Sequence, residues 1–200
     1  MPAQQRTLSE QLGLVQAFRS GRLNFRASKV PSQQEFDALT MIATAERRAE
    51  RLNQRLWRCG EVWTLVKDNI LQDFDVEDRR GNIRRAVSFW PSERYVIYVK
   101  DILQSDADIR KIEIFELIDR ILMIECPKRK ILVARFWLPG KPTVIESPRA
   151  FARETAEGIA WCAGIEMPSD ELHITNEEYR LVLKEAYRRP MKCGPKGKLP

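Results

Sequence analysis

The sequence predicts a single α+β domain in which a mostly antiparallel sheet of about five strands packs against several helices. Three observations carry that expectation. Residues 61–92, EVWTLVKDNILQDFDVEDRRGNIRRAVSFWPS, set β-branched and aromatic residues in alternation and are broken at Asp68-Asn69 and Arg80-Gly81-Asn82, which is how a strand meander reads. Helix-start signals recur on either side of it, at Ser32-x-x-Glu35, Trp90-Pro91-Ser92-Glu93, Ser147-Pro148 and Thr175-x-x-Glu178. A chain of 200 residues that is 44% hydrophobic is long enough to bury roughly 70% of its unfolded surface in one core.

Taken in order, Thr7-x-x-Glu10 has capping-box spacing, and Leu8, Leu12, Val15 and Phe18 then recur at helical intervals until Gly21. Residues 1–31 therefore form an N-terminal extension, a short amphipathic helix followed by a basic linker. Pro31 and Ser32 open a longer helix with Phe36, Leu39, Ile42, Ala43, Ala49, Leu52 and Leu56 along one face, stopped by Gly60. The meander follows, with Trp63, Phe89 and Trp90 as core residues. Trp90-Pro91-Ser92-Glu93 leads into a helix through Val96, Val99 and Leu103, and Ile109 to Ile114 alternates as a short strand. A broad apolar helical face from Phe115 to Ile124 should end at Pro127.

Ile131 to Leu138 is apolar nearly throughout and suits an interior strand, which obliges Arg135 to reach an edge or a partner. Pro139-Gly140 turns the chain, Thr143 to Ile145 form a further strand, and the helix opened by Ser147-Pro148 should close at Gly158. Residues 159–170 read as a loop with Trp161 as an aromatic anchor, and Tyr179, Val182, Leu183 and Ala186 as a last amphipathic helix. The α+β domain thus spans residues 32–187. Residues 188–200 carry Lys192, Lys196 and Lys198 among Pro and Gly without periodicity, the composition of a disordered basic tail.

Composition removes several function classes. The four cysteines, Cys59, Cys126, Cys162 and Cys193, are scattered with no C-x-x-C pair, so neither a zinc site nor a disulfide framework is indicated. No apolar run approaches a membrane span, and the first residues lack the apolar core of a secretory signal, so a cytoplasmic protein without a membrane partner is expected. Asp73, Asp75, Glu77 and Asp78 do not make a calcium loop, because the sixth and twelfth positions from Asp73 hold Asp78 and Arg84 instead of Gly and Glu. The chain has one histidine, His173, and no nucleophile elbow or phosphate-binding glycine loop. No enzyme, metal or cofactor is expected.

The order Trp63-x-Leu65, an acidic turn, a Gly-containing turn, Phe89-Trp90-Pro91-Ser92, a helix, Phe115 with Leu117, Ile118 and Leu122, Val133 to Trp137, and Val144 to Ser147 resembles the bacterial domain of unknown function 2750 family. The likeness covers roughly residues 33–157, with the Phe-Trp-Pro-Ser block as its most specific part. It implies a small bacterial α+β domain and carries no activity.

Two partner classes follow from the residues. The first is a protein, docked by Leu12, Val15 and Phe18 of the N-terminal helix or by Trp57 and Trp161 as surface anchors, as small bacterial accessory, neutralising or immunity-like proteins do. The second is nucleic acid. The net charge is +6, and Arg47, Arg51, Arg55 and Arg58 recur at helical spacing in a stripe about 16 Å long, with Arg188, Arg189, Lys192, Lys196 and Lys198 in the tail. Glu46 and Glu50 dilute that stripe, and no base-reading motif accompanies it. The protein-interaction class is preferred.

Overall fold

The computed structural model describes residues 31–163. The expected N-terminal helix, the last amphipathic helix and the basic tail lie outside the described residues.

The first helical stretch is divided, not continuous. Helix α1 (Gln33–Asp37) is capped by Ser32, whose Oγ accepts from the Glu35 N–H at 3.1 Å, and it widens into a π-helical turn over Ala38–Ile42. Ala43 is extended (φ −70°, ψ 140°), and Thr44 then caps helix α2 (Ala45–Cys59) by accepting from the Arg47 N–H at 3.4 Å. The single helix expected over these residues breaks because a threonine side chain offers the backbone an alternative acceptor. Gly60, at φ 64°, ends α2 as expected.

Strand β1 (Glu61–Lys67) turns at Asp68 and Asn69, both at positive φ, into β2 (Ile70–Leu71), the left-handed pair that a tight hairpin requires. On its other edge β1 pairs antiparallel with β5 (Asp108–Glu113), in a register from Glu61 opposite Glu113 to Val66 opposite Asp108. A second sheet holds β3 (Asp73–Glu77), β4 (Ile83–Phe89), β6 (Leu132–Arg135) and β7 (Val144–Glu146) in that order, with β4 and β6 parallel. The described residues thus form seven strands in two sheets instead of one sheet of about five. The meander changes sheet between β2 and β3. The two sheets are joined where Trp63 and Trp90 exchange backbone hydrogen bonds of 3.0 and 2.9 Å.

The parallel pairing of β6 with β4 needs a long crossover, supplied by helix α3 (Glu93–Leu103), β5, the π-helical α4 (Glu116–Glu125) and the short α5 (Cys126–Arg129). Pro127 does not end this run as expected. It stands in the first turn of α5, where a missing N–H is tolerated, and the stop comes at Lys130 with φ 55°. Strand β6 ends sooner than expected, because Phe136 turns left-handed (φ 50°); Phe136, Trp137 and Leu138 stay buried beyond it.

Helix α6 (Pro148–Ala163) runs through Gly158 and into the residues expected to form a loop. Gly158 is in its interior because a methyl group there would occupy the space of the Trp57 indole. That close approach also corrects the reading of Trp57 as a surface anchor: it is buried between α2 and α6.

Around these contacts sits one core. Trp90 and Phe89 are fully buried, as expected, and the Trp90 indole donates to the Trp137 carbonyl at 2.7 Å, which removes the cost of burying its N–H. Trp63 packs against the core but remains partly exposed.

Candidate binding cleft

The arginine stripe on α2 does not form one surface. Arg47 is exposed and pairs with Glu50 at 2.8 Å, and Arg58 is half-buried. Arg51 and Arg55 turn inward: Arg51 Nε donates to Glu35 Oε1 at 2.6 Å, and Arg55 pairs with Glu61. Guanidiniums that are 5% and 3% exposed and neutralised by carboxylates are not available to phosphates. The reason is legible in the helix geometry, since Arg55 follows Leu52 by three residues and so falls on the apolar face. Arg48, four before Leu52, is buried as well. It donates to the carbonyls of Ala43, Phe136 and Pro142, while Lys141 donates to those of Thr40 and Met41. Together they satisfy the carbonyl end of the π-helical turn.

Of the remaining candidates, Leu12, Val15, Phe18, Arg188, Arg189, Lys192, Lys196 and Lys198 lie outside the described residues. Trp161 falls within α6, and its side chain is also outside them.

A cleft that the sequence reading did not anticipate opens beside Trp63, with a volume of about 420 Å³. Its construction follows from the junction of the sheets. The Trp63–Trp90 bridge places Pro91 and Ser92, and with them the start of α3, against β1; Lys111 stands directly opposite Trp63 on β5. The walls are Glu61 and Trp63, Lys111, Arg55 from the end of α2, Ser92, Glu93, Arg94 and Ile97 from α3, and Pro31. Ile97 is 44% exposed although Val96 and Val99, on either side of it in α3, are fully buried.

Three cations and two carboxylates line this space. Glu61 is engaged by Arg55 and lies 3.4 Å from Lys111. Arg94 has no carboxylate partner among the described residues. Its Nη1 donates to the Pro31 carbonyl at 3.2 Å, its Nη2 to Gln33 Oε1, and its guanidinium carbon is 4.3 Å from the centre of the Phe36 ring. Phe36 in turn stacks on Tyr95 at 5.1 Å.

Ser92 occupies the cap position of α3 in an extended conformation (φ −156°, ψ 159°), yet its side chain makes no capping bond. Its Oγ is buried without a partner among the described residues, and so is the Tyr95 hydroxyl one turn later. Burial pushes the Tyr95 phenol well above its ordinary range, with the Glu35 carboxylate adding to the effect. Buried hydroxyls without a partner are uncommon, and each calls for an explanation.

The Trp63 indole from β1, the exposed Ile97 of α3 and the cationic, hydroxyl-bearing start of that helix make a site that can hold an amphiphilic ligand. Among the described residues, no group of three or more His, Cys, Asp or Glu is arranged to hold a metal ion, and no helix is long and apolar enough to cross a membrane. Cys126 is buried, and burial pushes its thiol up to about 12, leaving it protonated at neutral pH.

No family model, no curated protein and no solved structure matches the chain.

The sequence places a strand-to-helix junction at Trp90-Pro91-Ser92-Glu93, with Pro91 in the first helical turn, and Trp63 in the core. In the structure Pro91 precedes the cap position held by Ser92, and no local signal marks Ile97, Arg94, Lys111 and Glu61 as neighbours. Their proximity depends on strand pairing across some fifty residues, and no local pattern records it.

Proposed function

We propose that this chain is a non-catalytic bacterial accessory protein of the cytoplasm that binds a partner protein, and that the Trp63 cleft is its docking surface. The observation supporting this reading is the half-buried indole of Trp63, open to the cleft beside the exposed Ile97 and ringed by charged side chains. An aromatic anchor in a partly desolvated hollow with a polar rim is the usual composition of an interface hot spot. The reading moves docking away from Trp57, which is spent inside the core. The nucleic-acid alternative is less supported, since two of its four helix arginines are held in internal ion pairs.

Affinity capture from the native host tests it, with the full chain compared with Trp63→Ala and Ile97→Asp. The expected result is a co-purifying protein that survives nuclease and high salt and falls about tenfold or more with either substitution, the scale of a hot-spot truncation. Recovery of nucleic acid instead, lost with Arg47→Glu and Arg58→Glu, would replace the reading with its alternative.

A further inference from the structure

We propose that the α3 end of the cleft is a carboxylate-accepting subsite, and that the partner enters it with an Asp or Glu side chain carried on an otherwise apolar segment. This rests on the docking role of the cleft and adds the chemistry of what docks.

Three independent features converge there. Ser92 lines the cleft, is 5% exposed, and carries a buried Oγ with no hydrogen-bond partner among the described residues. A hydroxyl at the cap position that leaves its own helix uncapped is free to donate to an oxygen that arrives from outside. The Tyr95 N–H already donates to the Ser92 carbonyl at 3.2 Å, so it is the Glu93 and Arg94 N–H groups, at the positive end of the eleven-residue helix, that a ligand would meet. Arg94 brings a full charge whose partners are a carbonyl, an amide oxygen and an aromatic face, all neutral. A carboxylate at this position would complete all three sets of donors.

The charge balance selects a carboxylate over a phosphate. Glu61 and Glu93 line the same cleft against Arg55, Arg94 and Lys111, leaving one positive charge in excess. A monoanion matches that excess, whereas a dianionic phosphate would be repelled by the two resident carboxylates. Trp63 and Ile97 then provide the apolar wall for the residues flanking the acid.

The test is a titration of the isotopically labelled full chain, followed by nuclear magnetic resonance, with acetylated and amidated Leu-Glu-Leu and, separately, Leu-Gln-Leu. The glutamyl peptide should move the Glu93 and Arg94 amide signals and the Trp63 indole signal. The glutaminyl peptide should bind about tenfold more weakly, the scale of a charge-assisted hydrogen bond against a neutral one. Arg94→Gln and Ser92→Ala should each abolish most of this preference while leaving the weak binding of the glutaminyl peptide unchanged, which a merely structural role would not produce. Equal binding of the two peptides overturns the subsite, as do shifts centred elsewhere, no shift with either peptide, or inorganic phosphate acting at lower concentration than the glutamyl peptide. The two proposals fail separately. A partner released by Trp63→Ala but indifferent to Arg94→Gln and Ser92→Ala refutes the carboxylate subsite alone, and a partner indifferent to Trp63→Ala refutes the docking role itself.

Discussion

Arg135 and Arg94 are both arginines at the edge of the core, and their surroundings differ in one respect that organises the molecule. Arg135, 5% exposed, donates through Nε to Glu146 and through both Nη atoms to Glu154, and its guanidinium lies 5.1 Å from the centre of the Phe151 ring. Glu154 also accepts from Asn53 Nδ2 at 2.7 Å, so the cluster ties β6, β7, α6 and α2 together. Burial pulls the Arg135 guanidinium down, but the hydrogen bonds to Glu154 and Glu146 more than offset it and hold it above its ordinary range. Arg94 has no carboxylate among the described residues, and the hydroxyls of Ser92 and Tyr95 beside it have no partner there. The contrast teaches that this sequence can match a buried charge completely where only the fold depends on it. Buried polar atoms without a partner among the described residues also occur away from the cleft, at Asn53 Oδ1, Trp57 Nε1 and Thr155 Oγ1. What sets the start of α3 apart is that such a group there coincides with an open cleft and a cation whose partners are neutral, which is what the proposed subsite rests on.

The largest expected effect is at the matched cluster. Arg135→Met would leave Glu146, whose side chain is only 17% exposed, without its cation, and removing one member of a buried pair costs about 3–5 kcal/mol. Arg94→Gln should cost at most about 1 kcal/mol, since it gives up a partly exposed cation with neutral partners. Chemical denaturation of both variants measures the gap. Comparable losses would mean that the two arginines do the same structural work, and the comparison would collapse.

Next in size is the contact that seats α6, and with it Glu154. Gly158→Ala places a methyl group in the Trp57 indole and should cost about 1–3 kcal/mol through overpacking. In a Trp57→Leu background the same change should become stabilising by about 0.5–1 kcal/mol, because alanine is then simply the better helix former. A double-mutant cycle reads the coupling directly. Additive effects would show that α6 is not held at this distance by Trp57.

These contacts mark the limit of what the sequence discloses. The strands at Asp73–Glu77 and Asp108–Glu113, the caps at Ser32 and Gly60, and the burial of Phe89 and Trp90 follow from alternation, capping chemistry and hydrophobicity, all local signals. Gly158 reads as a helix stop because glycine is a poor helix former; only the position of Trp57, a hundred residues earlier, reveals it as a packing glycine. The arginines of α2 mislead for a different reason: helical spacing alone groups Arg47, Arg51, Arg55 and Arg58 as a stripe, whereas the offset of Arg55 from Leu52 places it on the apolar face. The cleft was the least legible part, since Trp63, Lys111 and Arg94 come from three elements joined only by tertiary pairing.

A smaller effect bears on the unmatched side. If Ser92 Oγ is a donor waiting for a ligand, the free protein carries the cost of desolvating it, and Ser92→Ala should raise stability by about 1 kcal/mol while weakening ligand binding. Thermal unfolding of the unliganded protein decides this, and a loss of stability would show that the hydroxyl is already bonded within the fold.

The smallest effect concerns Glu35, which lies beside both Arg51 and Tyr95. Burial raises its carboxyl above the ordinary 4.5, and Arg51 at 2.6 Å only partly opposes that. The folded chain therefore binds more protons than the unfolded chain between 4.5 and the folded-state value. Glu35's contribution to stability is accordingly complete below 4.5 and declines as the pH rises through that window. Glu35→Gln abolishes the titration, so the stability difference between wild type and variant should narrow from acid to neutral pH, as read from unfolding midpoints at a series of pH values. A difference that widens with pH instead would mean that the Arg51 ion pair, and not burial, sets the Glu35 carboxyl.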